Sequence, residues 1–274
     1  MRYRLLDTLR GFSLVSMILF HACWDLVYLF GYDWPWFVKT QGYVWQQSIC
    51  WMFILVSGFC MGLKEERAPQ PEHQQGLTEE NRMLRAGCKR GLKVLAAAIL
   101  ITVATLLFSP ETKIVFGVLF FLGVSMILTE TLRPTLRKVS PKMGMLCSGF
   151  LFFVLRNINE GSLGFENLVL CRLPDFLYEQ GMIATFFGLR DKSFSSADYF
   201  SLFPWYFLFL EGFFLCRSLL RNNAAGDEQP GLPRLFMRGN SALAAVGRHS
   251  LLIYLLHQPI ILLILSVAFG AVKW

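Results

Sequence analysis

The stretch Asp7-Thr8-Leu9-Arg10-Gly11-Phe12-Ser13-Leu14-Val15-Ser16-Met17-Ile18-Leu19-Phe20-His21-Ala22-Cys23-Trp24-Asp25 decides the fold. Its apolar run, Phe12 to Phe20, follows Arg10 and leads into His21 and Asp25, where hydrocarbon is expected. Ionisable side chains inside a membrane span are costly, so they mark function and call for partners. At 100° per residue, Asp7, Arg10, His21 and Asp25 fall within about 60° of one another on one helix face. Such a stripe cannot face lipid; it predicts a polar cavity inside a helix bundle.

The composition sets this helix in a membrane. Of 274 residues, 54% are hydrophobic, 15% aromatic and only 16% charged, where a soluble domain carries about 25% charged. Apolar runs recur along the whole chain, so the expectation is an all-α, polytopic transmembrane helix bundle forming one domain over 1–274. The net charge of +7 is spread between apolar segments rather than gathered in one patch. It therefore reads as topology signalling, with some cations left to meet an anionic ligand, and no nucleic-acid partner is expected. Seven cysteines (23, 50, 60, 88, 147, 171, 216) show no CxxC pair or regular spacing, which argues against a disulfide framework or a metal site. The N-terminus has the basic-then-apolar look of a signal peptide, and Phe20-His21-Ala22-Cys23 faintly mimics a lipoprotein cleavage box. Against both stand the His and Asp in the apolar run and the want of a small-residue cleavage site.

A span needs about 20 mainly apolar residues. Seven are expected, near 10–30, 42–63, 91–108, 114–132, 143–158 and 200–220, with the last starting between Ser241 and Arg248 and ending near Val272. Gly31 and Pro35 help to stop the first, before the interfacial aromatics Tyr32, Trp34, Trp36 and Phe37. Ser109-Pro110 ends the third, which forms a hairpin with the fourth. Residues 64–93 read as a polar cytoplasmic loop, helical from about Thr78, with His73 an ordinary solvated residue. Residues 159–197 read as an extracytoplasmic connection in which Leu168–Leu189 is an interfacial or re-entrant segment covering the site. As a full span it would make eight and invert everything after it. With seven spans, nineteen of the 26 Lys and Arg residues gather on one side and seven on the other, which puts the N-terminus in the cytoplasm.

The chemistry follows from depth. His21 lies eleven residues beyond Arg10, about 16 Å, and His257 nine beyond Arg248, about 14 Å, so both imidazoles come out near the bilayer midplane. Asp25 stands one turn beyond His21, where it would fix the tautomer and raise the basicity of the ring. The plainer reading is a buried polar pair joining helices. His257 shares a face with Ser250 and Tyr254; it is either a cavity residue facing the substrate or a hydrogen-bonded packing histidine. Arg10, Lys89, Arg90 and Arg248 ring the cytoplasmic mouth, where they would hold phosphates or only set topology. Glu211 sits mid-span, and Asp198 precedes Trp205 on the outer side, positions suited to orienting a polar acceptor, with Trp205 stacking on a sugar or serving as an interfacial aromatic. No three or four His, Cys or carboxylates show ligand spacing, so no metal is expected.

Three blocks carry a resemblance: Leu6-Asp7-Thr8-Leu9-Arg10-Gly11 with Met17-Ile18-Leu19-Phe20-His21 and Trp24-Asp25-Leu26; Ser196-Ala197-Asp198-Tyr199 with Pro204-Trp205; and Gly247-Arg248-His249-Ser250 through Tyr254 to His257-Gln258-Pro259. Together they resemble bacterial members of the heparan-alpha-glucosaminide N-acetyltransferase catalytic family. The resemblance implies a multi-pass enzyme of the bacterial inner membrane that uses cytosolic acetyl-CoA to acetylate an amine or hydroxyl of a sugar or glycan acceptor at the far side. It implies His21 as the catalytic histidine.

The leading expectation is thus an acetyl-CoA-dependent acyltransferase. His21 and Asp25 are its catalytic pair, and Arg10, Arg90, Arg248 and Ser250 bind the CoA. His257, Tyr254, Asp198, Trp205 and Glu211 line the acceptor site. His21 either deprotonates the acceptor or carries the acetyl group. The competing reading is a transporter or flippase of a polar or lipid-linked solute with the same stripe as a proton relay, although no internal repeat is evident. A third is a structural partner with a dead site. Membrane lipids are partners on any reading, and the sequence leaves the oligomeric state open.

Overall fold

A computed structural model describes residues 3–66, 76–224 and 231–270. His73, the Pro-rich start of the polar loop and the end of the last expected span lie outside the described residues. The described chain runs α1 (Arg4–Tyr28), α2 (Pro35–Val38), α3 (Thr40–Glu66), α4 (Gly76–Phe108), α5 (Val118–Thr131), α6 (Arg133–Lys138) and α7 (Pro141–Leu155). A hairpin of β1 (Ser162–Phe165) and β2 (Leu168–Arg172) follows, then α8 (Gly181–Phe187), α9 (Trp205–Ala224), α10 (Ser241–Arg248) and α11 (Ser250–Phe269). Four segments among the described residues are long and apolar enough to cross a membrane: Arg4–Tyr28, Thr40–Leu63, Gly87–Phe108 and Ser250–Phe269. The other three stretches expected as spans fold as the helices α5, α7 and α9, of 14, 15 and 20 residues. The first two fall short of a straight crossing, and α9 carries Glu211, Arg217 and Arg221. The protein is an α-helical membrane protein with one small β-hairpin that its sequence did not announce.

Contacts divide the chain into two compact units, Met1–Val56 with Asn223–Trp274, and Ser57–Asn222. In the first, α1 packs on α10 at two glycines. A Cβ on Gly11 would run into the carbonyl oxygen of Leu243, and one on Gly247 into that of Asp7, so the two backbones touch. Small residues make this approach available to membrane helices, which otherwise gain little from burying apolar surface against one another. Upstream, Thr8 Oγ1 donates to Asn240 O at 3.2 Å, and Asn240 Oδ1 accepts from the Ala242 and Leu243 amides at 2.9 and 3.1 Å, capping α10. The last span, expected to start between Ser241 and Arg248, starts at Ser250 as α11, because His249 (φ −103°, ψ 26°) separates it from α10.

Helices α1 and α11 run parallel. Asp25, in the last turn of α1, meets Gln258 near the middle of α11, and the Phe30 and Phe269 rings meet at 5.9 Å further along. On α11, His257, Ile261 and Leu265 are buried at four-residue spacing, while Leu252, Leu256, Leu263, Ile264 and Val267 are exposed. An apolar stripe this long on an outer face belongs in lipid. Another side of α1 packs Phe20 with Phe37 and Ile49 into an aromatic core bordered by Trp24, Trp34 and Trp45. Trp45 Nε1 donates to Ser16 Oγ at 2.7 Å, which ties the start of α3 to α1. Leaving α1, the chain turns at Gly31 (φ +74°), and Pro35 opens α2, where its missing N–H is no loss.

In the second unit α4 and α5 form the expected hairpin after Ser109-Pro110, packed closely at Gly91 and Gly123. Helix α5 starts four residues later than the apolar run suggests. Phe116 takes φ 57°, and the carboxylate of Asp198 accepts from the Val118 amide at 3.0 Å, fixing the helix start there. Arg217 on α9 is buried and donates to Leu136 O at 2.8 Å and Arg137 O at 3.3 Å, closing the end of α6. Buried Arg133 pairs with buried Glu130 one turn away. The stretch Leu168–Leu189 breaks into β2, a 3₁₀ turn over Asp175–Glu179 and the seven-residue α8. None of these reaches across about 30 Å of hydrocarbon. Strand β2 pairs antiparallel with β1, Ser162 opposite Arg172 and Phe165 opposite Leu168, and all five of its residues are exposed.

Candidate active site

Helix α1 runs unbroken past Asp7, Arg10, His21 and Asp25, so the stripe drawn from the sequence exists as one helix face. At its N-terminal end Arg10 Nη1 donates to Asp7 Oδ1 at 3.3 Å. Because Gly11 and Gly247 touch, Arg10 and Arg248 each stand one residue from the same helix crossing. Arg248 is exposed, and Ser250 opens α11 two residues on.

Eleven residues beyond Arg10, the His21 ring faces that of His257, centroids 5.0 Å apart and planes 57° from parallel. The two rings stand level with each other across α1 and α11. His257 is 9% exposed, and its Nδ1 lies 2.6 Å from the carbonyl oxygen of Tyr254. A carbonyl oxygen only accepts, so Nδ1 carries the proton and Nε2 of the neutral ring keeps a lone pair. The Tyr254 ring lies 5.3 Å from the same imidazole. His21 is edge-on to Phe20 at 6.0 Å, which joins it to the aromatic core.

Asp25 is fully buried. The hydrogen bond expected between Asp25 and His21 is not formed among the described residues. Both carboxylate oxygens instead accept from Gln258 Nε2, at 3.0 Å each. A donor from the parallel helix competes with the ring one turn back, and it wins because α11 presents Gln258 level with Asp25. The other end of that amide, Oε1, is buried with no hydrogen-bond partner. Gln258 is the residue that sequence reasoning left without a role. Its signal was an amide next to His257 in an otherwise apolar helix.

The remaining expected site residues belong to the second unit, each with surroundings of its own. Arg90 is exposed on α4. Asp198 caps α5. Trp205 is 5% exposed, with the Arg156 guanidinium 5.0 Å over its ring and Phe200 and Phe152 against it. Glu211 accepts from Ser148 Oγ at 2.6 Å.

Outside the spans, the 175–201 segment is tightly bonded. Asp191 accepts from Ser193 Oγ at 2.6 Å, the Ser193 amide at 2.9 Å and the Gly181 amide at 3.2 Å, which holds its carboxyl below the usual range. Glu179, at 3.1 Å, and Asp175 hold the Lys192 ammonium above its usual value. Tyr199 donates to Thr185 O at 2.6 Å, and burial pushes its hydroxyl up to about 12. It stays a neutral donor.

A family model described as heparan-alpha-glucosaminide N-acetyltransferase, catalytic, matches residues 2–259 of the chain. The match takes in α1 and closes at Pro259, just after His257 and Gln258. No curated protein and no solved structure matches.

Proposed function

Because the chain belongs to the heparan-alpha-glucosaminide N-acetyltransferase catalytic family, we propose that it transfers an acetyl group from cytosolic acetyl-CoA to a sugar acceptor reached from the other side of the membrane. The observation that carries this reading is the His21–His257 pair in the buried interior of the first unit, 5.0 Å between ring centroids, with one tautomer fixed by Tyr254. Two imidazoles this close suit proton transfer during acyl exchange.

Arg10, Arg248 and Ser250 flank the inner end of α1 and α11 and would hold the CoA phosphates, leaving the thioester to extend along α1 toward His21. His21 then takes a proton from the acceptor nitrogen. The freed lone pair attacks the thioester carbonyl, the C–N bond forms and the C–S bond breaks. The departing CoA thiolate takes the proton back from His21. The acceptor arrives as an ammonium, so its nitrogen loses a second proton as the amide forms, and His257 Nε2 is the base that would take it. In a two-step alternative His21 carries the acetyl group itself.

The test is transfer of radiolabelled acetyl from acetyl-CoA to glucosamine by the purified full-length chain. His21→Ala is expected to abolish transfer while the thermal melt is kept; full activity in that variant would remove His21 from the chemistry. Label retained on the protein without acceptor would select the two-step route. The family match weighs against a transporter, and stabilisation by acetyl-CoA in a thermal melt separates the two, since only the enzyme is expected to bind it.

A further inference from the structure

Helix α4 has two unlike faces. Gly87, Gly91 and Ala98 are buried, and the two glycines lie so close to α5 that an added Cβ would strike the side chains of Glu130 and Ile127. At 100° per residue these three positions fall within about 40° of one another. Centred about 180° away, on the side turned from α5, run Lys89, Lys93, Leu100, Val103 and Leu107, all exposed. Leu100 is 62% exposed and Leu107 70%. Arg90, also exposed, borders the two lysines. The stripe changes chemistry once along its length: its cations stand in the first two turns of the segment Gly87–Phe108, and the rest is apolar. From Lys93 to Leu107 is about 21 Å, more than the roughly 15 Å of one leaflet's hydrocarbon.

Acid does not answer these cations. No Asp or Glu occurs in 81–93, nor in 131–142, which follows α5 at the same end of the unit and exposes Lys138 and Lys142. Glu130, which lies against Gly87, is buried and pairs with Arg133. Topology signalling needs the cations in this part of the chain, but it does not require them to head an outward apolar stripe.

We propose that this face of α4 binds an anionic phospholipid, with the phosphate among Lys89, Arg90 and Lys93 and an acyl chain along Leu100, Val103 and Leu107. Charge followed by hydrocarbon along the helix is the order of the lipid itself. Each cation near the headgroups attracts the phosphate, and the long Lys and Arg stems lie on apolar surface while their heads reach it. A free phosphate, or the phosphates of CoA, would use the cations and leave the apolar length without a partner. A zwitterionic lipid would bring an ammonium to a place already rich in positive charge. Arg90 is thereby given to a lipid rather than to CoA. The inference rests on α4 and its packing, and stands apart from the acyl-transfer reading.

The experiment titrates the full chain in detergent with dioleoylphosphatidylglycerol or dioleoylphosphatidylcholine and counts bound lipid by native mass spectrometry. The wild type is expected to bind the anionic lipid at least about tenfold more tightly than the zwitterionic one, within the reach of three nearby cations. The triple variant Lys89→Gln/Arg90→Gln/Lys93→Gln is expected to lose that preference, while Lys89→Arg/Lys93→Arg keeps it. Lys39→Gln/Lys113→Gln/Arg172→Gln removes the same charge elsewhere and is expected to keep it too. Equal binding of the two lipids by the wild type overturns the proposal, as does the same loss in both triple variants. Inorganic phosphate or CoA that displaces the bound lipid, or dihexanoylphosphatidylglycerol that binds as tightly as the dioleoyl form, would make the site one for phosphate alone and also overturns it. The wild-type comparisons decide the matter even where a thermal melt shows the triple variant unfolded.

Discussion

At His257 one backbone oxygen decides the side chain's chemistry. With Nδ1 donating to Tyr254, only Nε2 is left to act. His257→Asn keeps a donor near the Nδ1 position and deletes Nε2, so it should stay folded while kcat falls about 10²-fold or more, the usual weight of a positioned acid–base group. A wild-type kcat in that variant would make His257 a packing residue. Asp191 carries a second expectation. Its carboxyl is held below the usual 3.8, so it contributes stability above that value and loses it as pH falls through the lower, folded pKa. The Gly181 and Ser193 amides should therefore stay protected from hydrogen exchange at neutral pH and open only in strong acid. Asp191→Ala should expose them at every pH. The sequence brought out His21 and Asp25 because ionisable groups inside an apolar run are costly, although it left a polar pair joining helices as the plainer reading. It did not show that Asp25 turns to Gln258, since that depends on the register of two helices 233 residues apart. Nor did it show that Asp198 is engaged in capping α5, since one carboxylate suits a cap and a ligand equally well.

Among the elements, the contact between α1 and α10 is the most exacting. Gly11→Leu would drive a side chain into the backbone of α10. Overpacking of this kind costs about 1–3 kcal/mol or more, and by shifting α10 it should weaken acetyl-CoA binding through Arg10 and Arg248. Gly31→Ala meets nothing within 4 Å but forces a Cβ onto φ +74°, so it should cost about 1–2 kcal/mol of stability and leave acetyl-CoA binding untouched. Asn240→Ala removes the cap of α10 and is expected to cost about 1 kcal/mol, read as a lower melting midpoint. Helices were legible wherever an apolar run ended in Gly or Pro, as at Gly31, Pro35 and Ser109-Pro110. The break at His249 was not, because nothing in Gly247-Arg248-His249-Ser250 forbids a continuous helix. The β-hairpin was hidden for the opposite reason. Leu168-Val169-Leu170 shows no polar alternation, and a short apolar run is ambiguous between strand and helix.

For the whole molecule, the distribution of cations makes the orientation testable. With seven spans, nineteen of the 26 Lys and Arg residues would fall on one side, which predicts that a fluorescent reporter inserted after Val139 lights up in the cytoplasm, while an alkaline phosphatase inserted after Ser193 is active outside. The reverse pattern would invert the assignment. Some of those cations also build the fold. Arg217 closes α6 from a buried position, and Arg217→Met should cost about 3 kcal/mol by leaving its carbonyl partners unsatisfied. Sequence counting sees the sign of such a residue and not the contact, so it reads topology better than architecture. The bond between Asp25 and Gln258 also sets a timetable for biosynthesis. Asp25 enters the membrane with the first helix, while its donor is made 233 residues later, on the order of tens of seconds at ordinary translation speed. Through that interval α1 carries a buried charge worth about 2.5–3.5 kcal/mol against insertion. A chain halted before α11 should therefore be short-lived in a pulse–chase, and the nascent protein depends on its last helix to retain its first.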